Sequence, residues 1–102
     1  MLTSTAVVVT DAPARYAKQL LSHLGHKVPV EELDGHPGGG RLVFAYGAGI
    51  VRVDGDRLVL EAVAVDLASL ARVEDVLARH LLKFGRRGQL TISWDRGASA
   101  TG

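Results

Sequence analysis

Four short runs of strand-forming residues follow one another between residues 28 and 65, and they constrain the fold more than any other feature of the chain. Short connections separate them, which is typical of neighbouring antiparallel strands. In the turn at Asp54, Gly55 and Asp56, glycine accepts the positive φ that a tight hairpin needs. The runs are VPVEEL (28–33), RLVFAYG (41–47), IVRVD (50–54) and RLVLEAVAV (57–65), with the loop DGHPGGG after the first.

Two amphipathic stretches flank these runs and predict helices. Residues 13–24 form the first, with Asp11 as its cap, Pro13 in its first turn and Gly25 in a left-handed conformation after its end. Residues 67–84 form the second, capped by Asp66. The expected buried residues are Pro13, Ala17, Leu20, Leu21 and Leu24, then Leu70, Val73, Leu77, Leu81 and Phe84. On the second helix Arg72, Glu74, Asp75, Arg79 and Lys83 are expected to face mostly outward.

A first strand at Thr5–Thr10 and a last strand in QLTISW (89–94) complete the element order β-α-β4-α-β. Two amphipathic helices can cover only one face of an antiparallel sheet, so we predict an α+β fold, a two-layer sandwich with both helices on one side. At 102 residues the chain predicts one domain, residues 1–94, followed by a disordered tail, residues 95–102.

The face of the sheet without helices is expected to carry aliphatic residues. Alternation directs Val43, Ala45, Val59, Glu61 and Val63 away from the helices. A face exposed to water is usually polar, so this composition favours burial in a two-fold homodimer. The alternative is that valine is common on exposed strands because of its β-propensity.

The four histidines do not predict a metal site. His23 and His26 are separated by Gly25, His36 lies in the glycine-rich loop, and His80 flanks the apolar stripe of the second helix. The chain has no cysteine, and we find no acidic residue at a recognisable ligand spacing. We expect neither a metal nor a cofactor. Cations near helix carboxyl ends are also stabilised by the helix dipole, which explains some of these residues without any ligand.

A basic surface on the first helix and its exit is the strongest candidate site. No acidic residue occurs between Ala12 and Val30. A small anion or an acidic partner could bind there, whereas a solvated helix face is the alternative interpretation. The candidate ligand-binding residues are Arg15, Tyr16, Lys18, His23, His26 and Lys27, with His80 as a contributor from the second helix.

Composition and motifs argue against several functions. A formal net charge of +1 gives no general attraction to nucleic acid, and we find neither an apolar run long enough to span a membrane nor a signal peptide. The absence of cysteine fits a cytoplasmic protein. We find no nucleophile elbow and no phosphate-binding loop, so a non-catalytic role is favoured over a small enzyme or redox accessory using Tyr16 and His23.

The segments RYAKQLLSHLGHKVPV and RVEDVLARHLLKFGRRGQLTISW resemble a small bacterial domain family of unknown function associated with siderophore-interacting proteins, the ferric-siderophore reductases. The resemblance spans about Thr3 to Trp94. An acidic residue commonly follows the position of Arg87 in that family, where this chain has Gly88. The matching residues are Lys18, Leu20, His23, His26, Lys27, His80, Leu81, Phe84, Arg87 and Trp94.

The resemblance implies a TATA-binding-protein-like α+β fold and a connection to siderophore iron. We therefore expect an uncharacterised cytoplasmic binding or accessory domain. Its expected partners are an anionic small molecule or ferric siderophore, a siderophore-interacting reductase and a second copy of itself, with no nucleic acid or membrane. A pure dimerisation module is a further alternative.

Overall fold

The structure, a computed structural model, describes residues 1–84 and 90–96 of the chain. Five strands and two helices lie within these residues. In chain order they are β1 (Leu2–Val9), α1 (Pro13–Gly25), β2 (Val30–Glu32), β3 (Gly40–Phe44), β4 (Gly47–Asp54), β5 (Arg57–Ala64) and α2 (Leu67–Phe84).

The strands form one antiparallel sheet in the order β1-β5-β4-β3-β2. Alternate residues of the strands and the apolar stripes of both helices join in a single core, so both helices lie on the same face of the sheet. The predicted two-layer α+β sandwich is confirmed. Gly55 has φ +63° and closes the β4–β5 hairpin, as expected for a tight turn.

The ends of α1 differ from the prediction. Asp11 does not cap the helix, and the Thr10 hydroxyl instead accepts a hydrogen bond from the Ala12 amide at 3.2 Å. Gly25 belongs to the helix and does not have a positive φ. The lack of a side chain at Gly25 allows the end of α1 to approach β2 closely, because a Cβ there would lie 3.1 Å from a methyl group of Val30. By contrast, the predicted cap of α2 is present, with the Ser69 amide donating to Asp66 at 2.7 Å.

The predicted last strand is represented by a short pairing rather than a full ladder. Among residues 90–96, only Asp95 forms a bridge, exchanging both backbone hydrogen bonds with Thr5 of β1 at 2.8 and 2.9 Å. Leu90 is buried and Ile92 and Trp94 pack on the core, so the predicted inward face is correct. Arg86–Gly88, Gln89 and residues 97–102, for which a turn, a strand residue and a tail were predicted, lie outside the described residues.

One side chain of the predicted tail, that of Arg96, makes a specific contact. Arg96 binds the carboxylate of Glu74 through Nε and Nη2, at 3.2 and 2.8 Å. Glu74 is buried, contrary to its predicted outward position, because this arginine covers it. Contacts with the rest of the fold therefore include Asp95 and Arg96, which follow the predicted boundary at Trp94.

The helix-free face carries the aliphatic residues that alternation predicts. Val43 and Ala45 are exposed, and Glu61 and Val63 are partly exposed. Val59 also lies on this face but is 4% exposed, because its cross-strand neighbours Val7 and Arg52 flank it. In the described part of the chain, neither helix combines the length and apolar character needed to cross a membrane.

Candidate functional site at the carboxyl ends of the helices

The carboxyl ends of α1 and α2 meet. His23 lies in the last turn of α1 and His80 one turn before the end of α2, and their ring centroids are 5.3 Å apart with the planes tilted by 47°. Phe84 stands edge-on to His23, with 5.8 Å between centroids and 82° between planes. Two imidazoles that are distant in sequence therefore share one surface, next to an aromatic ring.

A backbone hydrogen bond sets the orientation of His80. Its Nδ1 lies 2.7 Å from the carbonyl oxygen of Val76, one turn earlier in α2. Because a carbonyl oxygen only accepts, Nδ1 carries the hydrogen in this contact, and Nε2 of the neutral ring is then an acceptor. The side chain is partly buried, so Nε2 is the ring nitrogen that His80 can offer to a ligand.

The charges around His23 are all positive. The pKa of His23 lies below its ordinary value of 6.5 because the ring loses part of its hydration, and because His80, Lys27, Lys83 and His26 repel its protonated form. We call these five residues, His23, His26, Lys27, His80 and Lys83, the helix-end cluster. Among the described residues, no carboxylate offsets this repulsion at His23.

The acidic residues nearest in α2 have partners of their own. Glu74 binds Arg96, and Asp75 binds Arg79 at 3.1 Å. Glu74 also has a pKa below its ordinary value. Burial raises this pKa, but the hydrogen bonds from Arg96 and Ser4 and the charge of Arg96 lower it by a larger amount. The positive charge of the helix-end cluster therefore remains available to a ligand from solvent.

Several predicted ligand-binding residues come together at this surface. A shallow depression beside the histidine pair is lined by Lys18, Gln19, Ser22, His23, His26 and Phe84. With Lys27 and His80, which act on His23, five of the seven predicted residues lie at or near the helix ends. The contact between His23 and His80, which sequence alone left open, is the centre of this arrangement.

Arg15 and Tyr16 lie away from the helix-end cluster. Arg15 is exposed and its guanidinium lies 5.3 Å from the centre of the Tyr16 ring. Tyr16 is 5% exposed and belongs to the core, so its prediction as a surface ligand-binding residue is not supported by its position. It continues the stripe of Leu20 and Leu24 at a spacing of four residues, which directs it inward.

The structure does not bring Tyr16 and His23 together as a proton-transfer pair. They lie two turns apart on α1, a separation of about 10 Å along the helix axis. Tyr16 lines a depression with Val9, Thr10, Asp11 and Leu90, whereas His23 lines the depression beside Phe84. No described cavity contains both side chains.

Lys83 and Phe84 were not predicted as site residues. They follow His80 by three and four positions, so helical spacing places them on its side of α2. Phe84 was expected in the core and packs against it while partly buried, but its ring also lies 5.8 Å from that of His23. Within the described ranges, no group of three or more His, Cys, Asp or Glu side chains is arranged to hold a metal ion.

Comparisons with known proteins identify the family. No curated protein matches the chain. The chain is similar to the NMR structure of PA4090 from Pseudomonas aeruginosa, with a TM-score of 0.76 and 32% identity over 93% of this chain and 96% of that one. Residues 5–95 match a family described as "Uncharacterized protein conserved in bacteria". The chain therefore belongs to this bacterial family of uncharacterized proteins, DUF2218.

Proposed function

We propose that this protein is a cytoplasmic, non-catalytic binding domain that holds an anionic ligand at the helix-end cluster. The observation that carries the proposal is the contact of His23 with His80 amid Lys27 and Lys83, where every charge acting on His23 is positive. A bound anion would relieve this repulsion and would accept hydrogen bonds from imidazole and ammonium groups.

The helix dipoles do not cancel this charge. Each helix places about half a negative charge at its carboxyl end, so two helices contribute about one negative charge in total. Lys27 and Lys83 alone exceed that amount. Dipole stabilisation explains why cations occur at each helix end, but the excess that remains when the two ends meet favours an anion.

A ferric siderophore is the ligand that we propose first. The family resemblance found in the sequence implies a siderophore context, and many ferric siderophores are anionic. Lysine and protonated histidine can contact the outer oxygens of such a complex without binding the iron itself. A siderophore-interacting reductase is the corresponding protein partner in this proposal.

Isothermal titration at pH 6.5 with a ferric tris-catecholate complex and, separately, with inorganic phosphate tests the proposal. We expect saturable binding of both, with the ferric complex at least ten times tighter. Lys83→Gln should weaken binding about ten-fold, because a charged contact is lost. Arg57→Gln removes the same charge from the exposed β4–β5 hairpin and is the matched control, which should bind normally.

The possible results separate the parts of the proposal. No binding of either compound would contradict an anion site. Equal affinity for phosphate and the ferric complex would remove the siderophore assignment and retain the anion site. Equal loss in Lys83→Gln and Arg57→Gln would show that net charge, and not the helix-end cluster, is responsible.

A second proposed role is homodimerisation through the helix-free face of the sheet. Val7 and Val43 are exposed on this face, at 47% and 36%. Between them Arg52 binds Glu61 at 2.9 Å on neighbouring strands. A two-fold axis between β4 and β5 would set each Arg52 opposite Glu61 of the second copy, so charge and apolar surface are both self-complementary.

Sedimentation velocity tests this role. We expect a dimer that Val7→Lys converts to a monomer, because a charge would be buried at the interface. Leu82→Lys is the matched control, since Leu82 is also 47% exposed but lies on α2. A monomer at all concentrations, or dissociation by both variants, would overturn the proposal.

A further inference from the structure

A broad concavity lies between α1 and the edge of the sheet, and none of the five residues of the helix-end cluster lines it. It has a volume of about 810 Å³, within the range of small-molecule sites. α1 packs over β3, β4 and β5, and β2 extends beyond it at the sheet edge. α1 covers β2 only in part, since Val30 remains 43% exposed. The uncovered strip of β2 borders the groove, together with Leu33 and residues 36–39 of the following loop.

The groove is mainly aliphatic. Leu21 of α1 forms one wall, and Val30, Leu33 and Val53 line the floor and the far side. Val30 pairs with the buried Leu42, which places it on the helix side of the sheet, yet it is 43% exposed. Gly40 contributes to this shape, because a Cβ there would lie 2.9 Å from a methyl group of Leu21.

Two side chains of opposite charge line this apolar surface. Lys18 lies on the α1 wall with Ser22 one turn further on, and Glu32 lies on β2. Glu32 shares the parity of Val30, so it lies on the helix side of the sheet. Within the described part of the chain, neither Lys18 nor Glu32 forms an ion pair within 4.0 Å.

We infer that this groove binds a short apolar peptide with free ends, of two or three residues. Its carboxylate would contact Lys18 and Ser22, its ammonium group would contact Glu32, and its side chains would cover Leu21, Val30 and Leu33. The two opposite charges are the reason for choosing a peptide with free ends. A simple anion would be repelled by Glu32, and a neutral apolar compound would form no ion pair with either Lys18 or Glu32. The proposal is independent of anion binding at the helix-end cluster, although Lys18 and Ser22 also border the depression there.

Amide NMR of the full chain, titrated with Leu-Leu, N-acetyl-Leu-Leu and Leu-Leu-amide, tests the inference. We expect saturable shifts at Leu21, Val30 and Val53 with the free dipeptide, and about ten-fold weaker binding of each blocked form. Lys18→Gln should abolish only the preference for Leu-Leu over Leu-Leu-amide, which lacks the free carboxylate. Glu32→Gln should abolish only the preference for Leu-Leu over N-acetyl-Leu-Leu, which lacks the free ammonium group. Both side chains are exposed, so neither variant is expected to unfold the protein.

The outcome is decisive in either direction. Absence of shifts in the groove, or equal affinity for the three dipeptides, would overturn the inference. Lys83→Gln should leave dipeptide binding unchanged while it weakens anion binding, which distinguishes this site from the helix-end cluster. If Lys83→Gln weakened dipeptide binding as much as anion binding, the dipeptide would be assigned to the helix-end cluster, and this result would also contradict binding in the groove.

Discussion

At the scale of single residues, the environment of His23 links structure to pH. Its imidazole lies 5.3 Å from that of His80, and the other members of the helix-end cluster also make its protonation harder. A carboxylate or phosphate at the same place would reverse this effect. The ionisation of His23 is therefore a direct measure of whether the helix-end cluster holds an anion.

We predict that His23 titrates below 6.5 in the free protein, because it loses hydration and has cationic neighbours. Its pKa should rise in Lys83→Gln and on adding phosphate. NMR titration of the imidazole resonances measures both changes. A pKa at or above 6.5 in the free wild-type protein would contradict the description of the cluster.

The same pKa predicts a pH dependence of stability. Protonation of His23 is harder in the folded than in the unfolded chain. The free energy of unfolding therefore decreases as the pH falls through 6.5, and this decrease ends below the folded pKa. His23→Gln should remove this part of the decline. Urea unfolding of both proteins between pH 8 and pH 5 measures the decline in the free energy of unfolding. A larger decline in the variant than in the wild type would contradict the prediction.

At the scale of the elements, close backbone approach explains a glycine that periodicity does not mark. Gly47 begins β4, and a Cβ there would collide with the carbonyl oxygen of Val63 and lie 3.0 Å from a methyl group of Val73 in α2. The absent side chain thus lets β4, β5 and α2 pack together.

Gly47→Ala is expected to destabilise the fold by about 3 kcal/mol, because backbone must move to accept the methyl group. Gly35→Ala is the control: its φ is +77° but no atom lies within 4 Å of the added Cβ, so the cost is the conformational one, about 1 kcal/mol. Urea unfolding measures both. Similar losses in the two variants would show that the contact with Val63 is not responsible.

The elements themselves were predictable, but the rotation of each helix was not. Periodicity predicts α1 and α2 to within a few residues, and alternation predicts the inward residues of the strands. The burial of Tyr16, with Pro13 and Leu21 only partly buried, depends on how α1 packs against α2 and the sheet. The pairing of His23 with His80 has the same origin, because a single sequence does not specify which helix ends meet.

At the scale of the whole molecule, the end of the chain joins elements that are distant in sequence. Asp95 pairs with β1 and Arg96 binds Glu74 in the middle of α2. The polar composition of residues 95–102 predicted disorder, and no local pattern marks either contact. Such contacts escape sequence analysis because one polar residue finds its partner only after the helices have packed.

Glu74→Gln tests the contribution of the ion pair between Glu74 and Arg96. The folded pKa of Glu74 lies below its ordinary value of 4.5: burial raises it, but the hydrogen bonds from Arg96 and Ser4 and the charge of Arg96 together outweigh burial. The ion pair therefore stabilises the fold above pH 4.5, and its contribution is lost as the pH falls through the folded pKa. At pH 7 we expect a loss of about 1 kcal/mol in the free energy of unfolding, because Arg96 is partly solvated. The difference between the variant and wild type should be smaller at pH 3, because the unfolded chain is then protonated at this position.

Urea unfolding at both pH values measures this difference, with Asp75→Asn as the matched control. Asp75 is also paired with an arginine on α2, but both side chains of that pair are more than 60% exposed, so its loss should change stability by less than about 0.5 kcal/mol. The variant Arg96→Gln should reproduce the pH profile of Glu74→Gln, and the double variant should add little to either, because each removes the same contact. A Glu74→Gln effect that does not decrease between pH 7 and pH 3, or additive losses in the double variant, would mean that the carboxylate stabilises the protein by some route other than Arg96.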